Sequence, residues 1–176
     1  MTALYLIVLV FVLTAAYGAA SAAPWLPTKP RERRNLVAQL PMRGDETVYD
    51  LGCGDGTLLF ALAAAHPGIT AVGYDVALLP LCIGWARKLL SPRRYRKVHL
   101  RFGDLFRANI ADADLVIIFL MSKAYPKLME KFRRELPPHA RIAVEAWPLP
   151  GVPASKTIEG DGLLPVYIYE GKACKS

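Results

Sequence analysis

A glycine-rich segment, DLGCGDG at residues 50–56, joins a short apolar stretch to an Ala/Leu-rich stretch and constrains the fold more than any other part of the sequence. Residues 47–51 predict a β-strand, and residues 57–65 predict an α-helix. Glycines at such a junction let the backbone turn sharply and approach a ligand without a Cβ in the way. We therefore expect a ligand site at the carboxyl end of the first strand, where open α/β sheets bind ligands.

The remaining sequence alternates between helix-like and strand-like stretches, beginning with a predicted helix at residues 31–40. Such alternation implies right-handed βαβ crossovers and an α/β fold with a mostly parallel sheet. Residues 114–120 are continuously apolar and predict a central strand that is covered on both faces. Two weaker strands, 156–159 and 166–169, would add an antiparallel hairpin at the C-terminal edge. The other predicted strands are 69–75, 98–102 and 141–146, and the other predicted helices are 78–90 and 125–136.

Three acidic residues lie at the ends of successive predicted strands around the glycine segment. Asp50 lies two residues before the first glycine, Asp75 ends the second strand, and Asp104 follows the third. The spacing is GxGxG rather than the GxGxxG of dinucleotide sites. Asp50 would repel a pyrophosphate, but it suits the ammonium and sulfonium groups of S-adenosylmethionine. Asp75 could accept hydrogen bonds from both ribose hydroxyls, and Asp104 could accept one from the adenine amine.

In this order the motifs resemble those of the class I S-adenosylmethionine-dependent methyltransferases. DLGCGDG resembles the first motif of that family, GYD the second and GD the third, over roughly residues 25–147. The resemblance implies a Rossmann-like methyltransferase fold, S-adenosylmethionine as the cofactor and methyl transfer as the reaction. The predicted cofactor-binding residues are Trp25, Thr28, Asp50, Gly52, Cys53, Gly54, Asp55, Gly56, Asp75 and Asp104.

A narrower resemblance is to the small protein-lysine methyltransferases, some of which are membrane-anchored mitochondrial enzymes that modify the c-type subunit of ATP synthase or the adenine nucleotide translocator. It rests on PWLPT at residues 24–28 before a helix, on VYDLGCGDG and GYD, and on the DLVIIF strand. It implies that Trp25 and Thr28 fold over the cofactor and that Asp55 lines its pocket. Those sequences often read DLGSGDGR, whereas Cys53 and Thr57 stand here, and the missing basic residue has no assigned role.

The methyl acceptor is less clearly marked in the sequence. Methyl transfer depends on positioning, and an apolar aromatic pocket would lower the pKa of a lysine nucleophile. Phe119, Tyr125 and Trp147 are candidates for such a pocket, although packing in the core or a lid would explain them equally, and no catalytic residue is assigned. The fourth strand lacks the (D/N)PP(Y/F) ending typical of enzymes that methylate amino groups of bases. We predict N-methylation of a protein lysine near the membrane. A small-molecule, lipid-headgroup or RNA methyltransferase and a non-catalytic cofactor-binding module stay open.

The first 28 residues carry no charged side chain, so all 22 basic and 15 acidic residues lie in residues 29–176. Residues 2–23 are long enough to cross a bilayer, which takes about 20 apolar residues in a helix. The basic residues that follow favour a cytoplasmic location for the C-terminal end of this helix. We predict a transmembrane anchor at 1–23, a Pro-rich linker at 24–30 and a minimal methyltransferase domain at 31–176. The protein would be a single-pass protein of the inner (cytoplasmic) membrane with a cytoplasmic domain.

Two other interpretations of the N-terminal segment stay open. Ala20-Ser21-Ala22 resembles the cleavage site of a signal peptide, although no Lys or Arg precedes the apolar run. The segment could also be a helix buried in the domain. The three cysteines form no CxxC pair, so neither a disulfide framework nor a metal site is predicted.

Residues 87–107 carry eight basic side chains and one acidic one, Asp104, and account for much of the net charge of +7. A solvated basic face, contact with anionic lipid headgroups and nucleic-acid binding are all compatible with this stretch. Nucleic acid is the least favoured, because few aromatic residues that could stack on bases lie among these charges.

Overall fold

The computed structural model describes residues 1–26 and 28–175, which form one mixed sheet with helices packed against it. Its strands are β1 (Thr47–Leu51), β2 (Thr70–Asp75), β3 (Val98–Phe102), β4 (Leu115–Ile118), β5 (Arg141–Glu145), β6 (Lys156–Ile158) and β7 (Val166–Glu170). Its α-helices are α1 (Thr2–Ser21), α2 (Pro30–Gln39), α3 (Thr57–Ala65), α4 (Leu78–Leu90) and α5 (Tyr125–Glu135). Every predicted helix and strand is present, with ends shifted by a residue or two.

The strands follow the order β3-β2-β1-β4-β5-β7-β6 across the sheet. The first five pair in parallel, while β7 is antiparallel to both β5 and β6. The predicted Rossmann-like fold, with an antiparallel hairpin at the C-terminal edge, is confirmed. The direction of the strand order reverses between β1 and β4, and a crevice for a ligand forms at such a point.

The two faces of the sheet are covered by separate apolar clusters. Along β4, Leu115 and Ile117 belong to the cluster with α3, whereas Val116 and Ile118 belong to the cluster with α5. All four residues of β4 are buried, which confirms the prediction of a central strand covered on both faces. Because β4 ends at Ile118, the next residues leave the sheet at its carboxyl edge and are free to line the crevice.

Helix α1 projects from the domain and meets it mainly through its C-terminal part. The Thr14 hydroxyl accepts a hydrogen bond from the Leu78 amide at 3.4 Å, and the Lys123 ammonium donates to the carbonyls of Ala19 and Ala20 at 2.7 and 3.0 Å. Among the described residues, α1 alone is long and apolar enough to cross a membrane, and 6% of its most apolar window is buried. The interpretation of this segment as a buried core helix is therefore wrong.

Candidate active site

A cavity of about 280 Å³ lies at the carboxyl ends of the parallel strands. The loops after β1, β2, β3, β4 and β5 contribute to its wall, and the segment between α1 and α2 covers part of it. The site thus lies where the sheet topology predicts a ligand crevice. Its lining includes Trp25, Thr28, Asp50, Gly52, Cys53, Gly54, Asp55, Asp75, Asp104, Phe119, Glu145 and Trp147.

The glycine segment after β1 passes closely beneath the Trp25 indole. Gly54 has a φ of +54°, which favours glycine, and a Cβ at this position would lie 2.6 Å from both Cδ1 and Nε1 of Trp25. Glycine is therefore required at position 54 by the backbone conformation and by the packing. The close contact fixes the segment after α1 against the loop, so that Trp25 forms part of the cavity wall.

Asp75 and Asp104 each hold the loop in which they lie. The Asp75 carboxylate accepts hydrogen bonds from the amides of Gly54 at 2.7 Å and Ala77 at 2.8 Å. The Asp104 carboxylate accepts one from the Phe106 amide at 2.9 Å. Burial raises the pKa of Asp75, while its bonds to backbone amides oppose that shift. Each carboxylate can accept further hydrogen bonds, because its two oxygens offer about four acceptor positions.

The floor of the cavity contains two buried acidic side chains, Asp50 at the end of β1 and Glu145 at the end of β5. Burial, reinforced by the charges of Asp75, Glu145 and Asp55, raises the pKa of Asp50 to about 8. Burial, reinforced by the charge of Glu32, raises the pKa of Glu145 to about 7. Within the described residues, neither side chain has a hydrogen-bond partner. Such a pair favours a cationic ligand, which would compensate both carboxylates.

A basic side chain from α4 supports the end of the glycine segment. The Arg87 guanidinium donates to the Thr57 hydroxyl at 2.6 Å and lies 3.3 Å from an Asp55 carboxylate oxygen. The same Asp55 carboxylate accepts hydrogen bonds from the amide and hydroxyl of Thr57. A guanidinium is thus present beside Asp55, although the residue after the motif is Thr rather than Arg.

An aromatic pair forms the mouth of the cavity on the side of β4 and β5. The rings of Phe119 and Trp147 are stacked with centroids 6.5 Å apart and an interplanar angle of 18°. Tyr125 lies behind this pair rather than in the cavity wall, because its ring is buried and its hydroxyl donates to the Trp147 carbonyl at 2.8 Å. Tyr125 is therefore placed to position Trp147, not to touch a ligand.

Trp147 is also held by an unusual turn at the end of β5. Ala146 has a φ of +77°, and the Trp147 amide donates to the Glu145 carbonyl at 3.1 Å. These features define a γ-turn, which is rare and strained for a residue other than glycine. The turn directs Glu145 into the floor and Trp147 into the mouth of the same cavity.

Residues 50–156 match the family model described as the ANTKMT methyltransferase domain. The chain belongs to this methyltransferase family. It is 32% identical over 158 residues to the lysine N-methyltransferase of Rattus norvegicus that is named for the c-type subunit of ATP synthase, covering 87% of this chain and 68% of that protein. It is 27% identical over 153 residues to a protein-lysine N-methyltransferase of Saccharolobus islandicus, covering 83% of this chain and 92% of that one. The chain spans 63% of the Xenopus laevis enzyme that shares the rat enzyme's name, at 31% identity over 84% of its own length.

The fold of this methyltransferase is also found in solved structures. An RNA methyltransferase from Salinibacter ruber, in complex with S-adenosyl-L-homocysteine, has a TM-score of 0.75 at 23% identity, covering 82% of this chain and 93% of that one. The predicted enzyme class and S-adenosylmethionine as cofactor are confirmed. The described residues fit this cofactor, because Gly54 leaves room that a Cβ would fill and Asp50 presents a buried carboxyl group to the cavity.

Nine of the ten cofactor-binding residues predicted from the sequence line the cavity of this methyltransferase. The tenth, Gly56, instead packs beneath α3, where a Cβ would lie 2.7 Å from Leu100. Of the acceptor candidates, Phe119 and Trp147 line the cavity and Tyr125 does not. Sequence reasoning missed Glu145, although an acidic residue that ends a continuously buried strand is a usable signal.

The last turns of α1 were not expected in the site either. Ala15, Gly18, Ser21 and Ala22 line the cavity, and a Cβ on Gly18 would lie 3.3 Å from Val76, just after β2. The Met121 amide, after β4, donates to the Ala22 carbonyl at 3.3 Å. The end of α1 is thus part of the wall around the methyltransferase site and is not separated from the domain by the linker.

Proposed function

We propose that this protein transfers a methyl group from S-adenosylmethionine to the side-chain nitrogen of a lysine on a membrane-associated protein, in the cytoplasm beside the membrane that α1 crosses. The observation that carries this proposal is the pair of buried carboxyl groups, Asp50 and Glu145, in a cavity whose mouth is formed by Phe119 and Trp147. Both the cofactor and a lysine carry cationic groups that this floor would compensate.

The half of the cavity near β1, β2 and β3 is assigned to the cofactor, which supplies the reactive methyl carbon when bound. Asp50 would pair with its ammonium group, Asp75 with the ribose hydroxyls and Asp104 with the adenine amine. Trp25 and Thr28 would cover it, since both line the cavity above the glycine loop. These roles use carboxylate oxygens that remain able to accept further hydrogen bonds.

The half near β4 and β5 is assigned to the lysine. The faces of Phe119 and Trp147 suit its aliphatic chain, and aromatic rings attract the ammonium group of such a chain. Before the nitrogen can attack the methyl carbon it must lose a proton, and the Glu145 carboxylate is placed to accept it. A pKa of about 7 in the free protein suits a group that alternately gains and loses a proton near neutral pH.

Several relatives carry names that support a protein lysine as the acceptor. Besides the enzymes named for ATP synthase, the adenine nucleotide translocase lysine N-methyltransferase of Mus musculus is 31% identical over 150 residues. The membrane location rests on α1 and on the basic residues that follow it, because positive charge favours the cytoplasmic end of a transmembrane helix. Retention of α1 is also supported by the site, since removing residues 18–22 would open the cavity wall.

The test uses membranes from cells that lack this protein, incubated with purified full-length protein and methyl-labelled cofactor. We expect label on lysine in a protein fraction, and label confined to RNA or to the organic extract would contradict the proposal. Glu145→Gln should bind the cofactor within about threefold of wild type but transfer methyl groups at least ~100-fold more slowly, in the range for loss of a general base. The matched control is Glu159→Gln, in a loop away from the cavity. Sodium carbonate extraction should leave the full-length protein in the membrane pellet.

A further inference from the structure

The outer face of α4 is entirely apolar although it is exposed. Its exposed residues are Leu79, Cys82, Ile83, Ala86, Leu89 and Leu90, and the exposed fractions of Leu89 and Leu90 reach 78% and 85%. Their spacing of three, four and seven residues places them on one side of the helix. The opposite side, with Pro80, Leu81 and Gly84, is buried against the domain. A surface helix of a water-soluble domain carries polar residues on its outer side, so this face requires an apolar neighbour.

We propose that this outer face of α4 lies in the headgroup and upper acyl region of an anionic bilayer, beside α1. The proposal rests on the proposed function, because it takes α1 to cross the membrane. It goes further in assigning a second membrane contact, made by the catalytic domain itself, and in placing the mouth of the cavity at the membrane surface.

The apolar face continues the apolar surface of α1. The Leu78 amide at the start of α4 donates to the Thr14 hydroxyl, seven residues before the end of α1 at Ser21. Seven residues correspond to about 10 Å along a helix. The 20 residues of α1 span about 30 Å, close to the thickness of the hydrocarbon core. When α1 crosses the core upright, the start of α4 therefore lies about 10 Å inside its boundary, a depth typical of interfacial amphipathic helices.

Charge identifies the neighbour as lipid rather than a second copy of this chain. Arg87 and Lys88 lie in the last turn of α4, and Arg93, Arg94 and Arg96 follow in an exposed turn. A basic border beside an apolar face suits anionic headgroups, with about 1 kcal/mol for each basic residue at the surface. Two copies that met through this face would bring the same basic borders together, which is unfavourable.

This placement has a consequence for the acceptor. Ala15, Gly18 and Ser21 of α1 and Val76 and Ala77 just before α4 all line the cavity. With α4 in the interface, the cavity opens within one or two helical turns of the membrane surface. The acceptor lysine would then be one that its own protein holds at the membrane–water boundary, and a lysine on a distant soluble domain could not reach the mouth.

Cys82 offers a direct test, because it is exposed on the outer face of α4 whereas Cys53 and Cys174 are buried. Full-length protein is labelled at Cys82 with an environment-sensitive maleimide fluorophore and reconstituted into vesicles of phosphatidylcholine and phosphatidylglycerol. Phosphatidylcholine with a nitroxide on the upper acyl chain serves as the quencher. We expect at least twofold quenching at Cys82. In the Cys82→Ser background, a label at Asp161→Cys, in the exposed turn between β6 and β7, should be quenched by less than about a tenth.

A label at Tyr17→Cys, also in the Cys82→Ser background, reports separately on α1. Quenching at Tyr17→Cys without quenching at Cys82 would overturn the assignment of α4 and leave the proposed anchor intact. Absence of quenching at both positions would overturn the anchor and the assignment together. A blue-shifted Cys82 label that depends on protein concentration and not on the nitroxide would overturn the lipid assignment and give the face to a second copy of the chain. Charge-reversing Arg93→Glu/Arg94→Glu should reduce the quenching at Cys82 in these anionic vesicles.

Discussion

The Asp75 carboxylate at the end of β2 accepts a 2.7 Å hydrogen bond from the Gly54 amide in the loop after β1. This bond joins two adjacent strand ends and fixes the part of the loop that lies beneath Trp25. The acid proposed to bind the ribose therefore also shapes the loop on which the cofactor would lie. A substitution of Asp75 has two consequences, one for the loop and one for the ligand.

Asp75→Ala should weaken S-adenosylmethionine binding at least ~100-fold, because hydrogen bonds to a charged group contribute about 1.5–3 kcal/mol each. Asp75→Asn should retain part of the affinity, since its amide oxygen can still accept from Gly54. Titration calorimetry of the purified variants measures both constants. The exposed substitution Asp161→Ala is the control and should bind as wild type does. Unchanged affinity in Asp75→Ala would refute the assignment.

Local sequence patterns predicted the fold and most of the cavity lining because both depend on neighbouring residues. Strand periodicity, the glycine motif and acids at strand ends are readable within a few positions, and the parallel sheet brings those ends together. Glu145 was missed because its importance comes from burial beside Asp50, a residue on a strand two places away in the sheet. Its sequence context, an acid before Ala-Trp-Pro, resembles an ordinary strand end.

Contacts between distant parts of the chain were the other gap. Arg87 lies 30 residues after Thr57, and only the packing of α4 brings its guanidinium to that hydroxyl. The sequence showed that a basic residue was missing after the motif but not where a replacement lies. The role of α1 in the cavity wall was hidden for the same reason, because its last turns contact residues that follow β2 and β4.

The contact between Arg87 and Thr57 leads to a second prediction. Arg87→Ala should weaken cofactor binding by about three- to tenfold and lower the free energy of unfolding by about 1 kcal/mol, since it removes a partly exposed ion pair and a hydrogen bond. Adding Thr57→Arg should restore much of the affinity by placing a guanidinium beside Asp55 from the other side. Equilibrium binding and urea unfolding measure the two effects.

Arg34→Ala, which removes an exposed charge from α2, is the control for both measurements of the Arg87 variants. If Thr57→Arg fails to improve binding in the Arg87→Ala protein, the guanidinium does not have the supporting role assigned to it.

Tyr125→Phe should affect the acceptor side of the cavity and leave the cofactor side unchanged. The variant loses the 2.8 Å bond to the Trp147 carbonyl, at a cost of about 0.5–1.5 kcal/mol in the free energy of unfolding. Because Trp147 is then held less firmly, the KM for the protein acceptor should rise about three- to tenfold while cofactor affinity stays constant. Tyr95→Phe retains its ring contact with Phe60 and should change neither quantity. An equal loss of cofactor affinity would show that Tyr125 supports the whole cavity.

Ala146→Gly tests whether the strained turn after β5 serves the site. Glycine adopts a φ of +77° without strain, so the variant should be more stable by about 1 kcal/mol. A looser turn would place Glu145 and Trp147 less accurately, and methyl transfer should slow by about three- to tenfold at unchanged cofactor affinity. Thermal unfolding and single-turnover rates measure these effects. Ala111→Gly, in an exposed turn with no positive φ, should not be stabilised. A variant both more stable and fully active would mean that the strain has no function.

The raised pKa values of Asp50 and Glu145 predict an unusual dependence of stability on pH. In the free protein these values are about 8 and about 7, whereas unfolded carboxyl groups titrate near ~4. Between these limits the folded protein binds more protons than the unfolded chain, so its stability falls as the pH rises. The contribution of the two groups is fully present below pH ~4 and is lost as the pH rises through their folded pKa values. Melting temperatures without cofactor should therefore decrease from pH ~5.5 to about 8, and less steeply in Asp50→Asn than in the exposed control Asp161→Asn.

Cofactor binding should show the opposite dependence on pH. A cationic ligand favours the ionised form of Asp50, so binding releases protons and the affinity rises with pH, by up to about tenfold per unit for one proton. Calorimetry in buffers with different ionisation enthalpies counts the protons released near neutral pH. Asp50→Asn should bind more weakly and release fewer protons. A wild-type protein that releases none would show that Asp50 is already ionised in the free cavity, and its pairing with a cationic group of the cofactor would then contribute nothing to the pH dependence.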